Sequence, residues 1–196
     1  MRALVVIAHP CDDSFCHAAA STAIAAMERG GHTVDVIDLY ADRFTTAMTR
    51  DERIAYHTES PVLDEQVAGY IERLEQAEAL VFVYPTWWSG MPAILKGWLD
   101  RVLVYGVAFE FDARTGRVRP KLGYIKRVVG ISTYGSPRSA VMLVNDNGRR
   151  VFTRALRMSC GFRTRTRWLA LYAMDSATDA DRREFLARID TTMVTL

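Results

Sequence analysis

The sequence is short of the features that would announce a dinucleotide fold, a secreted scaffold or a membrane protein. No Gly-x-Gly-x-x-Gly occurs in its 196 residues, which argues against a Rossmann-type pyrophosphate site. Cysteine is scarce and odd in number (Cys11, Cys16, Cys160). That excludes a disulfide framework and fits a reducing compartment. No apolar run approaches the length of a membrane span. The N-terminus enters a strand directly, without a charged-then-apolar leader, so a cytoplasmic location without membrane insertion is expected. Charge of neither sign dominates: 25 Lys and Arg against 23 Asp and Glu give +2, too mild a balance to indicate nucleic acid. The arginines at 149, 150, 154 and 157 and the run Arg163-Thr164-Arg165-Thr166-Arg167 read first as solvated faces, and otherwise as attractors of anionic ligands. There is no internal repeat, linker or low-complexity tract. A chain of this length supports one domain, residues 1–196, with a substantial core.

What is present is an alternation of apolar strands and amphipathic helices. Arg2–Ala8 is a β-branched run of the kind that is covered on both faces. A loop from His9 to Ser14 follows, where Asp12, Asp13 or Ser14 can cap a helix over Ala18–Met27 that Gly30-Gly31 ends. Thr33–Asp38 is a second strand. Residues 39–61 read as irregular, with a short helix near Asp51–Tyr56. Val67, Ile71 and Leu74 share one face of a helix over 63–77. Ala79–Tyr84 is a third strand, and a helix starts at Pro92. An irregular segment with Phe109 and Phe111 turns near Gly116. Strands at Arg127–Tyr134 and Arg167–Ala173 flank a helix through 149–158, and a last helix covers 178–190. This pattern predicts an α/β fold with a doubly wound, five-stranded parallel sheet in the flavodoxin-like order 2-1-3-4-5.

In such a sheet, ligands bind at the carboxyl ends of the strands where the order reverses, here between strands 1 and 3. The loops His9–Ser14 and Pro85–Gly90 meet there, with Ser132-Thr133-Tyr134-Gly135-Ser136 alongside. The first loop leads into a helix N-terminus, whose unpaired amides suit a phosphate. Asp12 and Asp13 would repel that phosphate unless they turn outward. The second loop carries adjacent tryptophans, Trp87 and Trp88, between a proline and a glycine. That is not an ordinary core position, and it suits a flat aromatic ligand such as an isoalloxazine ring.

The motifs Ala8-His9-Pro10 with Ser14-Phe15 and Ala18, and Tyr84-Pro85-Thr86-Trp87-Trp88-Ser89-Gly90-Met91-Pro92-Ala93-Ile94-Leu95-Lys96-Gly97-Trp98, resemble the NAD(P)H:quinone oxidoreductases of flavodoxin-like fold. The similarity runs from residue 1 to about 135 and more weakly beyond. It implies a non-covalent flavin, NAD(P)H as electron donor, and ping-pong hydride transfer through flavin N5. The acceptor would be a quinone, an azo compound or a nitroaromatic. It also implies a homodimer with its site at the subunit interface. Carried over by position, His9, Asp13, Ser14, Phe15, Cys16 and Ala18 line the phosphate and ribityl region, and Pro85, Thr86, Trp87, Trp88 and Ser89 line the ring. Ser132, Thr133, Tyr134 and Gly135 close the other edge. Arg183 matches an arginine near the adenosine portion, which tilts the expectation to FAD over FMN. Trp88, Phe109, Phe111 and Tyr134 are the substrate-pocket candidates. Three departures stand out. Tyr134 replaces the first of two glycines. No tyrosine or histidine occurs over 136–148. Phe109 and Phe111 stand where the family has tyrosines.

Two other chemistries lie in the first loop. His9, Cys11, Cys16 and His17 are metal-ligand types but lack usual ligand spacing. Cys11 before a helix resembles a phosphatase nucleophile, yet position 17, where that loop needs arginine, is histidine. Neither is favoured, and the cysteines are expected to be small packing residues. A flavodoxin-type electron carrier would need an acidic docking face, which +2 disfavours. A regulatory flavoprotein subunit of a potassium-efflux-type system remains a rival reading.

Overall fold

The computed structural model describes residues 1–196. The main sheet consists of β1 (Arg2–Ile7), β2 (Thr33–Asp38), β3 (Ala79–Thr86), β6 (Arg127–Tyr134) and β7 (Arg165–Leu171), in the order β2-β1-β3-β6-β7, all pairs parallel. A two-stranded antiparallel hairpin, β4 (Phe109–Phe111) with β5 (Val118–Pro120), lies outside it. The helices are α1 (Phe15–Arg29), α2 (Arg50–Ala55), α3 (Glu65–Glu75), α4 (Ala93–Val102), α5 (Arg138–Leu143), α6 (Asn147–Arg150), α7 (Arg157–Cys160) and α8 (Asp179–Met193). No helix is long and apolar enough to cross a membrane.

Strand alternation divides the core in two. Leu4, Val6, Leu80, Phe82 and Tyr84 face one side, with Leu74, Leu95, Trp98 and Phe152 packed against them. Val5, Ile7, Val81, Val83, Val129 and Ile131 face the other, against α1 and α8. The alanines Ala19, Ala20, Ala23 and Ala26 are the buried face of α1; small side chains let that helix lie close on the strands. A parallel sheet needs both faces covered, and this sequence covers them.

The elements depart from expectation in four places. Ser14 caps α1, so the helix begins at Phe15, a turn earlier than Ala18. The helix expected through 149–158 belongs to a longer run, 147–160, that widens into a π turn over Val151–Leu156. The short helix α5, over Arg138–Leu143, was not read from the sequence. The last strand lies two residues upstream of 167–173, because pairing with β6 runs from Arg127↔Arg165 to Thr133↔Leu171. The chain then turns at Ala173, whose φ is 54°.

The irregular stretch before α3 is held by a buried cation. Arg101 on α4 is only 4% exposed. Its guanidinium meets Glu52 at 2.6 Å, Asp64 at 2.7 Å and the Thr45 carbonyl at 2.5 Å. Glu52 also closes the capping box of α2 with Thr49, and Asp64 caps α3. One side chain thus ties three helix ends together. The hydrogen bond from Arg101 holds the Asp64 carboxyl below its ordinary 3.8.

Replacing Arg101 with Ala strands two carboxylates against the core. It should cost about 3–5 kcal/mol, read as a lower urea midpoint with unchanged slope. Because the folded-state pKa of Asp64 is depressed, its contribution is complete above the unfolded-state value and is lost as pH falls through the folded one. The stability gap between wild type and Arg101→Ala should therefore narrow below about pH 4, in the range where carboxylates titrate.

Candidate functional site

The strand order reverses between β1 and β3, so the chain leaves their carboxyl ends toward opposite faces and opens a crevice. Three loops border it: 8–14 after β1, 87–92 after β3 and 135–137 after β6.

In the first loop, Ser14 is the N-cap of α1 and accepts from the His17 amide. The His17 ring lies 3.1 Å from Ser14 Oγ through Nδ1 and 2.9 Å from Asp38 Oδ2 through Nε2. Asp38 in turn accepts from the Tyr40 and Ala41 amides. The ring thus orients the capping serine, a role the sequence reading missed because it considered His17 only as a metal ligand. The amides of Phe15 and Cys16 donate to nothing within the chain, which leaves donors free at the positive end of a 15-residue helix. Asp12 and Asp13 are both exposed, and neither caps the helix. The amide of Cys11 donates to His9 Nδ1 at 3.0 Å. Ala18 is exposed on α1. Cys16 corrects one expectation: its thiol is buried in the core and pushed up to about 12, chiefly by burial, so only its backbone can face a ligand. Cys11 is exposed and Cys160 buried. No group of three or more His, Cys, Asp or Glu is arranged to hold a metal ion.

The second loop is under strain. Pro85 and Thr86 belong to β3 rather than to the loop. Trp87 and Gly90 exchange two backbone hydrogen bonds of 3.0 Å each. Between them, Trp88 and Ser89 both have positive φ, 48° and 58°. This is the geometry of a primed hairpin turn, which normally takes Asn and Gly. Trp88 is 102% exposed and Trp87 44%. The Trp87 ring lies 6.2 Å from His9. The amides of Trp88 and Ser89 have no acceptor. A tryptophan held in a left-handed turn with its indole in water is not explained by the packing of this chain.

The third wall comes from β6 and its loop. Thr86 Oγ1 and Ser132 Oγ lie 3.0 Å apart and link β3 to β6 at the crevice; Thr133 beside them is half-buried. At Gly135 a Cβ would come within 2.8 Å of the Asp175 carboxylate, so a side chain there would require the exposed Asp175 to swing aside. Thr86, Trp88, Ser89, Gly135, Ser136 and Asp146 line a half-open cleft of about 330 Å³, with Val141 and Val144 behind them. Tyr134 also borders it but is turned into the core. It is 2% exposed, its hydroxyl donates to Asp146 Oδ1 at 3.0 Å, and it accepts from Trp168 Nε1 at 3.2 Å. Burial, and then Asp146, hold that hydroxyl well above its ordinary 10. The Trp168 ring occupies the space at Gly130 where a Cβ would collide with it.

Other expected site residues lie elsewhere. Phe109 lines a separate apolar cleft of about 600 Å³ with Val118, Met158 and Phe162. Phe111 stacks on Tyr105 at 5.7 Å. Neither joins Trp88 within one chain. Arg183 is exposed on α8, two residues from Phe185, whose ring is 6.2 Å from Phe15 at the start of α1. The reading of the sequence missed Asp146, which is 94% buried, has φ of 43°, and keeps Oδ2 without a partner. An isolated Asp before a short helix resembles a cap, and only the position of Tyr134 reveals its setting.

The sequence family described as Flavodoxin-like fold (Flavodoxin_2) matches residues 1–192. NAD(P)H dehydrogenase [quinone] 1 of Cavia porcellus is 35% identical over 152 residues, which are 69% of this chain and 54% of that protein. The human ribosyldihydronicotinamide dehydrogenase [quinone] is 27% identical over 95% of this chain and 87% of its own. Over the first curated relatives, this chain spans about half of their length. Among solved structures, the NAD(P)H:quinone oxidoreductase from Methanothermobacter marburgensis superposes with a TM-score of 0.83. It is 28% identical and is covered over 98% of its length by 99% of this chain.

Glycine at position 89 should relieve one of the two left-handed residues. Ser89→Gly is expected to stabilise the protein by about 0.5–1 kcal/mol, the left-handed penalty less the extra entropy of glycine. Thermal unfolding checks it; an unchanged or lower Tm would mean that the turn stores no strain at that position.

Proposed function

The chain belongs to the flavodoxin-like fold family, and from that premise we propose that it is a flavin-dependent NAD(P)H oxidoreductase that reduces quinones or similar flat acceptors by two electrons in the cytoplasm. The observation that carries this reading is the turn at Trp88 and Ser89, which holds an exposed indole and two free amides at the switch point of the sheet. The residues present fit a flavin. The free amides of Phe15 and Cys16, with Ser14, suit its phosphate. Thr86, Trp87, Trp88, Ser89 and Gly135 offer a flat wall and donors for the ring. Arg183 stands within a turn of the α8 residue that meets Phe15, which favours FAD, with FMN as the alternative. Bound flavin supplies two-electron hydride chemistry, in ping-pong order, between NAD(P)H and the acceptor.

This chain's own groups orient and shield. The amides of Trp88 and Ser89 are donors fixed by the turn that would be free to stabilise negative charge on a bound reduced ring. The Trp88 indole is a wall that excludes water from one side of a flat ligand. His17 and Asp38 keep Ser14 in place. Phe109 sits on an apolar cleft that no residue of the Trp88 loop reaches, so a homodimer is part of the proposal, with each partner completing the other's pocket.

The test is anaerobic stopped flow on protein loaded with FAD or FMN. NADH or NADPH should bleach the flavin bands. Trp88→Ala should keep stability within about 0.5 kcal/mol, as surface changes do, yet lower acceptor turnover at least tenfold. A flavin left oxidised by both donors would end the reading. Sedimentation should give twice the chain mass of 22.1 kDa; a monomer that still turns over acceptor would remove the shared pocket.

A further inference from the structure

The crevice occupies one end of the strands; the other end carries an unassigned concentration of charge. Residues 147–174 contain seven arginines and no Asp or Glu, in a chain of net charge +2. Four of them, Arg157, Arg163, Arg165 and Arg167, join Arg127 around one hollow of about 550 Å³. Arg127 opens β6 and stands beside Arg165 in register, about 23 Å along the strand from Tyr134. Arg165 and Arg167 share a strand face, and Thr192 and Thr195, at the end of α8, close the hollow on that side.

None of the five arginines takes part in an ion pair. Arg157 donates to the Thr164 and Phe162 carbonyls, and Arg127 to that of Lys126. The guanidinium groups of Arg163, Arg165 and Arg167 donate to nothing in the chain. Protection of an edge strand accounts for charge on β7. It does not account for Arg127 on an interior strand, Arg157 on a helix and Arg163 on a turn converging on the same space. The carboxyl end of α8 offsets about half a unit charge, and the carboxylate of Leu196, which also lines the hollow, one more, against five.

We infer that this hollow binds an oligophosphate, an anion that presents two or more phosphoryl groups together. Guanidinium forks pair with phosphoryl oxygens two at a time. One phosphate engages one or two such forks; five around a hollow of small-molecule size call for several. The same chemistry has two sources, a free oligophosphate or several phosphomonoester headgroups clustered at a bilayer surface. The site shares no residue with the crevice and does not depend on a bound flavin.

Titration calorimetry of the purified protein with tripolyphosphate, at constant ionic strength, tests this. One-to-one binding at least tenfold tighter than orthophosphate is expected. Arg165→Ala/Arg167→Ala should weaken it at least tenfold, while Arg149→Ala/Arg150→Ala, outside the hollow, should change it less than twofold. Should the first variant fold poorly by its thermal midpoint, Arg163→Ala, in an exposed turn, is expected to lose about threefold. Co-sedimentation with phosphatidylcholine vesicles doped with phosphatidic acid separates the sources. Binding there that is lost in Arg165→Ala/Arg167→Ala, without binding of tripolyphosphate, supports the headgroup. Equal loss in the control variant, or no binding beyond sodium chloride of matched ionic strength in either arm, overturns the site.

Discussion

Everything in this molecule follows from a parallel sheet that must be dry on both faces. Residues Leu4, Val6 and Ala8 go to one side of β1, and Ala3, Val5 and Ile7 to the other. Parallel neighbours require crossovers, so each strand is followed by chain that packs back over the sheet. From β1 the chain returns through α1 on one face to the edge strand β2; from β2 it returns through α3 on the other face to β3. The carboxyl ends of β1 and β3 are therefore neighbours whose continuations diverge. The crevice is a consequence of covering the sheet, before any binding residue is considered.

Into that crevice the chain puts its least comfortable turn. Two non-glycine residues in left-handed conformations cost of order 1–3 kcal/mol each, and an exposed indole forgoes the burial that tryptophan normally contributes. The flanking structure fixes this arrangement firmly. Pro85 and Thr86 are paired into β3 against Thr133 and Tyr134, Thr86 is hydrogen-bonded to Ser132, and Gly90 closes the ladder with Trp87. Strain held in a rigidly framed turn at a topological switch point is the pattern of a surface shaped for a ligand.

The elements that were legible in the sequence were those where one period repeats without interruption. The strands expected at 2–8, 33–38 and 127–134, the helix expected over 63–77 and the strand order follow from β-branched runs, Val67-Ile71-Leu74 spacing and the alternation of strands with helices. Non-local pairing was not legible. Arg101 reads as an ordinary helix-surface charge; its burial arises only when residues 45, 52 and 64 fold over it. The helix over 138–143 carries Met142 and Leu143 outward, so its pattern does not point to a core. The crevice residues were found through the loops that border it, and Tyr134 was placed on its surface because strand alternation does not reveal that Asp146 lies beneath.

Tyr134 shows how one large ring at the end of β6 organises its surroundings. A ring there must go somewhere. Here it goes inward and stacks on Tyr172 at 4.8 Å, while Gly130 gives Trp168 room to reach its hydroxyl. The hydroxyl then needs an acceptor, because a buried phenol without one costs about 1–3 kcal/mol. Asp146 supplies it, at the expense of a left-handed backbone and a second carboxylate oxygen with no donor. The carboxylate on the cleft is thus held from behind by Tyr134, which Trp168 supports in turn, in a stretch with no tyrosine or histidine between 136 and 148. Networks of this kind specify position more than they add stability. The polar floor of the crevice is therefore set jointly by the packing of β6 against β7 and by the loop residue Asp146 that answers it.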